Sequence, residues 1–316
     1  MNPLIIAVDA MGGDLGPQIV AEGAKLALSD YPELKIILVG DENILRPLVA
    51  DTPDKITIHH AASVISTHES PTTALRQKKD SSIVVGLGLL KENSASGFVS
   101  SGSTGALLAG ATLIVGRKAG IERPALGVLL PTATGQTLLI DSGANMDAKP
   151  SYLLQFGEMG ADYVRRALKI ENPRVGLLNV GVEKEKGNAA AKEAYDLLEA
   201  SELNFIGNIE ARELPAGAMD VAVCDGFVGN IVLKFMEGFA HFMNSTIKQE
   251  LMASPVSKVG ALMSKGAFAR VKKRVDPREV GGAPFLGCKK LVIKAHGNSD
   301  ALAIKNAIRQ CVIYES

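Results

Sequence analysis

This chain of 316 residues has few aromatic side chains and no excess of either charge. Tryptophan is absent, and aromatic residues make up 4% of the chain. So few aromatic rings disfavour a surface on which the bases of single-stranded nucleic acid could stack. The 34 basic residues balance the 34 acidic ones. Bulk charge therefore gives no reason to expect a nucleic acid as a partner.

Cysteine is also scarce, with only Cys224, Cys288 and Cys311, which lie far apart and form no C-x-x-C pair. An odd number of separated cysteines predicts a reducing, cytoplasmic compartment. No group of histidines and cysteines has metal-ligand spacing, so we predict neither a metal site nor a cofactor. The first residues lead directly into an apolar pattern without a basic region, which argues against a signal peptide. The apolar run at 106–115 is too short to span a bilayer.

Short apolar runs alternate along the chain with helical patterns, which predicts a three-layer α/β/α sandwich with a mostly parallel sheet. A glycine-containing turn near residue 135 predicts one antiparallel excursion. Pro17, Pro71 and Pro150 stand where first helical turns would begin. We expect one domain over residues 1–316. The predicted strands are 4–9, 35–40, 56–60, 97–100, 125–130, 137–141, 174–179, 204–206, 221–225 and 291–294.

The most informative segment, residues 97–108, reads as a short strand, a turn of small residues and an apolar helix. Ser101, Gly102, Ser103 and Thr104 form the turn. Glycines there expose backbone N–H groups, and the helix start adds unpaired donors and the positive end of its dipole. The turn is therefore a candidate seat for phosphate or carboxylate. It lacks P-loop spacing, and an ordinary tight connection between strand and helix is the alternative.

Polar residues cluster after several other predicted strands, in each case next to glycine. Ligands of open α/β sheets bind beyond the carboxyl ends of strands, so we expect these residues to share one site. Helix caps and Asx turns are the alternative for each of the acids and asparagines. The residues are Asp9, Asp14, Asp141, Asn145, Asn179, Lys186, Asp225, Asn230 and His296.

Residues 229–275 interrupt the alternation and predict a projecting hairpin of two helices. The first carries an apolar stripe that includes several phenylalanines. The second, over residues 256–275, has six basic residues and no acidic one. Such a helix suits an anionic membrane or an acidic partner. A solvated basic face packed on a neighbour is the alternative.

Several familiar catalytic signatures are missing. There is no G-x-G-x-x-G fingerprint for a dinucleotide and no G-x-S-x-G nucleophile elbow. Each cysteine fits a small buried apolar side chain better than a nucleophile. A basic cluster, Arg76, Lys78 and Lys79, could reach a phosphate from the region before residues 80–82. An exposed basic cluster without a function is the alternative.

Taken together, the motifs resemble bacterial phosphate acyltransferase, the acyl-acyl-carrier-protein:phosphate acyltransferase of phospholipid synthesis. The resemblance runs from residue 6 to about residue 309, with no departure in the matching blocks. The blocks are 7–14, 76–82, 99–106, 141–145, 177–187, 225–230 and 294–297.

The resemblance implies that inorganic phosphate attacks the acyl thioester on acyl carrier protein and forms acyl phosphate. A membrane glycerol-3-phosphate acyltransferase then uses this product. The family is similar in fold to phosphotransacetylases and to isocitrate and isopropylmalate dehydrogenases, and it works as a homodimer. These properties imply a cytoplasmic enzyme that is peripherally associated with the inner face of the membrane.

With phosphate as the nucleophile and a thiolate as the leaving group, positioning and oxyanion stabilisation carry the catalysis. The hypothesis is that residues 101–104 hold phosphate together with Arg76. Lys186 and Asn230 are then candidate donors to the thioester carbonyl. His296 either adjusts the protonation of phosphate or holds its loop. The hairpin is expected to touch the membrane through Val256, Val259, Leu262 and Met263, and its basic residues to meet the acidic carrier protein.

Three other functions remain open at this point. A phosphotransacetylase-like enzyme would use acyl-coenzyme A instead of the carrier protein. A β-decarboxylating dehydrogenase of similar fold would need metal-binding aspartates and an adenosine pocket, and the sequence contains no sign of either. A non-enzymatic lipid-binding or partner-binding module would explain the hairpin but would leave the polar strand ends without a role.

Overall fold

The structure, a computed structural model, describes residues 4–315. Eleven strands join one sheet in the order β3-β2-β1-β4-β11-β10-β5-β6-β9-β7-β8. The strands are Ile5–Asp9 (β1), Lys35–Gly40 (β2), Ile56–His60 (β3), Gly97–Ser100 (β4), Ala125–Pro131 (β5), Gln136–Ile140 (β6), Arg174–Asn179 (β7), Asn204–Glu210 (β8), Val221–Val223 (β9), Ala283–Leu286 (β10) and Leu291–Lys294 (β11).

Helices cover both faces of the sheet, as the sandwich prediction requires. Pro17, Pro71 and Pro150 each begin a helix, as predicted. The helices are Pro17–Asp30 (α1), Glu42–Leu48 (α2), Pro71–Gln77 (α3), Ser82–Lys91 (α4), Thr104–Gly110 (α5), Pro150–Ala167 (α6), Ala189–Glu199 (α7), Gly226–Leu251 (α8), Pro255–Met263 (α9), Lys265–Val275 (α10) and Ala301–Glu315 (α11). A π-helical turn, Ala111–Val115, continues α5.

The two faces of the sheet have separate apolar cores. On one face, α1 and α11 pack beside β1, β2 and β11, while α6 and α7 pack beside β6, β7 and β9. On the other face, α3, α4 and α5 cover the first half of the sheet, and the start of α8 covers the second half. Both α5 and α8 therefore lie on the same face, on either side of β5 and β10.

Strand direction differs from the prediction in one consequential way. Strands β3, β2, β1, β4 and β11 are parallel to one another, and so are β6, β9, β7 and β8. Between these groups, β10 is antiparallel to β11 and to β5, and β5 is antiparallel to β6. The two parallel halves consequently run in opposite directions. The prediction of a single antiparallel excursion missed β10, a four-residue strand that contains Pro284.

The projecting segment begins earlier and is more divided than predicted. Its first helix, α8, starts at Gly226 because the side chain of Asp225 accepts a 2.7 Å hydrogen bond from the N–H of Val228. The predicted second helix is two helices, α9 and α10, which meet at Ser264. The two-helix prediction for 229–275 is therefore wrong in helix number. The single sheet supports the prediction of one domain, which stays a prediction.

Candidate active site

Asp9, Ser100 and Lys294 end three adjacent parallel strands at the same level of the sheet. Lys294 pairs with Ser100, and Val8 pairs with Val99, the residue before Ser100. Because side chains alternate along a strand, all three point to the face that carries α5. The row therefore lies directly under the turn that enters α5.

Hydrogen bonds join this row to the two loops above it. Ser100 Oγ donates to Asp9 Oδ2 at 2.7 Å and accepts from the N–H of Gly102 at 3.0 Å. Asp9 Oδ1 accepts from the N–H of Met11 at 3.0 Å. A Cβ at Gly12 would lie 2.4 Å from Asp9 Oδ2 and 2.8 Å from Gly102 Cα, so a side chain there would force the loops apart. Asp9 thus holds the loops that follow β1 and β4 against each other.

Burial raises the pKa of the Asp9 carboxyl, and the hydrogen bond from Ser100 partly opposes this shift. A carboxylate away from water loses hydration that its partners only partly replace. Asp9 is buried to 1% exposure, so it shapes the site from below. It is not in a position to meet a solvent-borne substrate directly.

The turn itself presents backbone donors at the start of α5. Ser103 caps the helix, since its Oγ accepts from the N–H of Ala106 at 3.4 Å. Within residues 4–315, the N–H groups of Ser103, Thr104 and Gly105 form no hydrogen bond. Free donors at a helix start attract anions. The turn therefore offers the backbone donors that an anion seat requires, and the seat itself stays a prediction.

The loop after β11 closes one side of this turn. The N–H of Asp14 donates to the carbonyl of Gly297 at 2.8 Å, which joins the loops that follow β1 and β11. The imidazole of His296 is exposed, and the carbonyl of His296 accepts from the N–H of Ser299 at 3.1 Å. Asp9, Asp14, His296 and residues 101–104 are thus brought together as expected.

Lys294 also lies at this group of residues, although only His296 was predicted as a site residue from the block 294–297. Its Nζ donates to the carbonyl oxygen of Ser101 at 3.2 Å and also bonds the carbonyl of Ala295. Burial lowers the pKa of its ammonium to about 8, while the charges of Asp9 and Asp14 oppose that shift. A lysine that ends an apolar strand just before His296 is the sequence signal that could have identified it.

Arg76 lies on α3, which packs beside α5. A Cβ at Gly105, in the first turn of α5, would lie 2.8 Å from Pro71 Cγ at the start of α3. Arg76 is exposed in the last turn of α3. Its guanidinium has no hydrogen bond or ion pair within the part of the chain that the structure describes. The side chain is therefore free to engage an anion.

A second group of predicted residues surrounds Asp141, at the end of β6. The Asp141 carboxylate accepts from the N–H groups of Leu126, Gly143, Ala144 and Asn145 at 2.6–3.1 Å. The side-chain amide of Asn145 also donates to it at 2.8 Å. Burial raises the pKa of Asp141, and these donors oppose the shift. Both side chains are occupied in holding their own loop.

The start of α8 lies against that loop. Gly226 N–H donates to the carbonyl of Asn145 at 2.7 Å. A Cβ at Gly229 would lie 1.9 Å from the carbonyl oxygen of Asp141, so only glycine allows this approach. Asn230 follows beside Gly143, and its side-chain amide makes no hydrogen bond within residues 4–315. Asn230 is thus a free amide next to a rigid loop.

A third group follows β7. The side-chain amide of Asn179 donates to the carbonyl of Lys186 and to Asn208 Oδ1, each at 3.1 Å. This arrangement folds the loop back on itself and leaves Lys186 exposed. The Lys186 ammonium has no partner within the described chain. Asn179 therefore orients the loop, and Lys186 is available to a ligand.

The strand ends that carry these residues do not all face the same way, and the expectation that the residues form one site stays a prediction. Because the two parallel halves run in opposite directions, β1, β4 and β11 end at one edge, while β6, β7 and β9 end at the other. The edge with Ser101–Thr104 and the edge with Asn230 and Lys186 are consequently opposite.

The helices beyond Leu251 form an exposed apolar and basic surface. Val256, Val259, Leu262 and Met263 are each 59–84% exposed. Helix α10 follows with its basic residues exposed, and its end is fixed to the body where Arg274 donates to the carbonyl of Thr132. No helix within residues 4–315 is long and apolar enough to cross a bilayer.

Comparison with known proteins identifies the family. Residues 4–313 match the family described as "Fatty acid synthesis protein". The chain is 49% identical over 305 residues to a phosphate acyltransferase of Thermoanaerobacter pseudethanolicus, covering 96% of this chain and 92% of the relative. It is also 49% identical over 313 residues to a phosphate acyltransferase of Clostridium botulinum, covering 98% and 93%.

The chain belongs to the phosphate acyltransferase family. It is accordingly an acyltransferase enzyme of lipid biosynthesis, as the resemblance implied. The matched residues 4–313 include all three groups of polar residues described above.

Solved structures of other proteins confirm the fold expected for this chain. A phosphotransacetylase of Streptococcus pyogenes aligns with a TM-score of 0.64 and 18% identity over 99% of this chain and 95% of its own. A 4-hydroxythreonine-4-phosphate dehydrogenase of Burkholderia phymatum aligns with a TM-score of 0.50 and 14% identity over 99% and 97%. The similarity to phosphotransacetylase and dehydrogenase folds is therefore confirmed.

Proposed function

We propose that this acyltransferase moves a fatty acyl group from acyl carrier protein to inorganic phosphate and releases acyl phosphate. A phosphate oxygen attacks the thioester carbonyl carbon, and a tetrahedral oxyanion forms. The carbon–sulfur bond then breaks, and the carrier leaves as a thiolate. A thiolate is a good leaving group, because the pKa of a thiol such as that of cysteine is about 8.5. The protein must chiefly position two substrates and stabilise the oxyanion.

The observation that carries the proposal is the set of free N–H groups at Ser103, Thr104 and Gly105, above the row Asp9–Ser100–Lys294. In the proposal, Ser101, Gly102, Ser103 and Thr104 hold phosphate. The free guanidinium of Arg76 contributes a bidentate contact. The exposed imidazole of His296 adjusts the protonation of phosphate at the edge of the same turn.

Lys186 and Asn230 are proposed as donors to the thioester carbonyl. Each carries an unpaired polar group within the described residues, which supports the assignment. Both follow strands of the half that runs opposite to β4. Attack needs a phosphate oxygen about 3–3.5 Å from the thioester carbonyl carbon, so in the proposed complex the Lys186 loop and the start of α8 approach the phosphate turn.

The projecting helices are proposed to bring the enzyme to its partners. Basic residues of α10 meet the acidic carrier protein. Val256, Val259, Leu262 and Met263 enter the interface of the membrane, where the acyl phosphate passes to a glycerol-3-phosphate acyltransferase. The enzyme is then cytoplasmic and peripheral to the inner face of the membrane.

A homodimer is also part of the proposal. Phe235 and Phe239 stack on the surface of α8 with ring centroids 6.0 Å apart, and both are more than half exposed. Phe242 continues the row. Exposed aromatic rows of this kind mark interaction surfaces. A second copy of the same helix would bury these rings in a symmetric contact.

An acyl-coenzyme A donor is the second candidate, favoured by the fold similarity to a phosphotransacetylase. The test uses purified protein with acyl-carrier-protein or acyl-coenzyme A, with and without phosphate, and traps acyl phosphate with hydroxylamine. We expect phosphate-dependent acyl hydroxamate from the carrier thioester. Formation from acyl-coenzyme A alone would select the second candidate. Thioester loss that ignores added phosphate would reject both.

A variant in the turn and a matched control test whether phosphate binds at residues 101–104. Ser103→Ala removes a hydroxyl from the proposed seat, and we expect a loss of about 10²-fold in kcat/KM for phosphate. Ser29→Ala is the matched control, because the Ser29 hydroxyl only bonds the carbonyl of Lys25 on α1. Equal activity of the two variants would contradict the assignment of the seat.

A further inference from the structure

The Ser101–Gly102 peptide is held at both ends. Its carbonyl oxygen accepts from the Lys294 ammonium at 3.2 Å, and its N–H donates to Ser100 Oγ at 3.0 Å. A peptide unit is planar, so these two contacts together fix the direction of the plane. The next three N–H groups, those of residues 103–105, are the unpaired donors of the turn.

Lys294 also places a positive charge next to this turn and near two carboxylates. Asp9, at the end of β1, and Asp14, in the following loop, are the carboxylates that act on its ammonium. The flanking strands β4 and β10 contain no ionisable residue. Helix α11 packs on the opposite face of the sheet. His296 lies two residues further along and is exposed.

Lys294 is consequently a cation in a site that would otherwise be acidic. Without it, Arg76 would be the remaining cation of the proposed seat to offset the Asp9 and Asp14 carboxylates, and negative charges at short range repel strongly where water is excluded. Burial of a lysine is costly, yet the described structure places one under the turn. The ammonium donates to the backbone carbonyl of Ser101, whereas the Ser100 hydroxyl already donates to the Asp9 carboxylate, which is itself an acceptor.

We propose that Lys294 is a positioning residue for phosphate, whose ammonium fixes the Ser101–Gly102 peptide and offsets the negative charge of Asp9 and Asp14 beneath the seat. The inference rests on the proposed function, because it assumes that phosphate occupies this turn. It predicts an effect on one of two substrates. Phosphate binding should depend on Lys294, whereas binding of the acyl donor should not.

The first experiment measures two KM values, one for phosphate and one for the acylated carrier protein. The variants are Lys294→Met, Lys294→Arg and Lys289→Met. Lys289 is exposed two residues before β11 begins and is the matched control. We expect Lys294→Met to raise the phosphate KM about 10-fold or more, with the donor KM within about twofold of the wild-type value. Lys294→Arg keeps the charge and should recover most of the loss. A phosphate KM unchanged in Lys294→Met overturns the inference.

The second experiment does not require the neutral variant to fold. The phosphate KM of wild type and of Lys294→Arg is compared between pH 7 and pH 9.5, since phosphate itself titrates equally in both series. The wild-type ammonium has a pKa of about 8, whereas a guanidinium stays charged throughout. We expect the ratio of wild-type KM to variant KM to rise above pH 8. A constant ratio overturns the inference.

The proposed function and the role of Lys294 can be rejected independently of each other. If wild type forms no acyl phosphate from either donor, the proposed function is wrong. If wild type forms acyl phosphate with a normal dependence on phosphate, but Lys294→Met changes both KM values equally, only the role of Lys294 is wrong.

Discussion

Ser100 donates a 2.7 Å hydrogen bond to the buried carboxylate of Asp9, and this contact joins the loops that follow β1 and β4. Ser100 also accepts the N–H of Gly102, so one hydroxyl connects an acid on β1 to the turn that begins α5. The proposed phosphate seat therefore depends on a contact between residues far apart in the chain. Changes beneath the seat should affect both stability and phosphate binding.

Replacing Asp9 by alanine should destabilise the protein by roughly 1–3 kcal/mol, because Ser100 and the N–H of Met11 lose a buried acceptor. Urea denaturation measures this change. Asp14→Ala is the control, since the exposed Asp14 side chain makes no hydrogen bond to any residue between 4 and 315. If Asp9→Ala and Asp14→Ala unfold at the same midpoint concentration of urea, the role of Asp9 in joining the loops is contradicted.

The pH dependence of Asp9 has a definite sign. Its pKa is raised in the folded state, so the folded protein binds this proton more tightly than the unfolded chain. The resulting stability is present below the ordinary carboxyl pKa and is lost as pH rises through the folded value. Relative to Asp9→Asn, wild type should become less stable as pH increases from acid towards neutral.

Lys294 should produce the opposite dependence at alkaline pH. Its folded pKa is about 8 against an ordinary 10.5, so the unfolded chain binds more protons between those values. Stability from this group is therefore present above the ordinary pKa and is lost as pH falls through 8. The free energy of unfolding of wild type minus that of Lys294→Met should rise from pH 8 to pH 10.5. A flat difference would show that burial does not perturb this lysine.

Removing a proposed oxyanion donor should lower turnover. Lys186→Ala and Asn230→Ala should each reduce kcat by about 10²-fold if the group stabilises the developing charge. Lys184→Ala is the control from the same loop, because Lys184 is already paired with Asp196 and Glu199. Wild-type turnover in both variants would discard the assignment and restrict the chemistry to the edge that carries the phosphate turn.

Two acidic substitutions should separate membrane contact from catalysis. Leu262→Asp combined with Met263→Asp places charge on the exposed apolar surface of α9, so binding to anionic vesicles should fall while activity in solution persists. Co-sedimentation with vesicles measures the binding. Leu26→Asp, an exposed apolar position on α1, is the control. Unchanged vesicle binding of the double variant would count against the contact.

The aromatic row of α8 predicts the oligomeric state. Phe235→Glu combined with Phe239→Glu should convert a dimer into a monomer, because charges cannot be buried in a symmetric apolar contact without partners. Analytical ultracentrifugation measures the mass. Ile44→Glu, on the exposed side of α2, is the control. A wild-type protein that sediments as a monomer would reject the dimer directly.

Much of the local structure could be predicted from the sequence. Five strands have the predicted bounds, including β2, β3 and β7, because short runs rich in apolar and β-branched residues between turn residues favour strands. The start of α5 was likewise predicted from its glycines and hydroxyls. β10 was missed since four residues containing Pro284 carry almost no periodic signal. The division between α9 and α10 was missed because the apolar and basic patterns continue across Ser264.

The arrangement of the site was less accessible, as Asp141 and Lys294 illustrate. Asp141 follows a strand and lies near glycine, as a ligand-binding acid would, yet its carboxylate is occupied by backbone N–H groups of its own loop and of β5. Lys294 begins the block 294–297 but was not among the predicted site residues, yet its ammonium contacts the turn after β4. Hydrogen-bond partners distant in sequence decide between these two cases, and periodicity does not report them.

By itself, the sequence determined the family, the alternation of strands and helices, and the turn of glycines and hydroxyls that begins α5. These depend on local composition and on motifs that are read in order along the chain. Only the tertiary structure decided that β10 and β5 reverse the direction of the sheet, which sends the polar ends of its halves to opposite edges. Strand direction within a sheet is set by pairing between distant segments, and the same apolar run can pair in either direction.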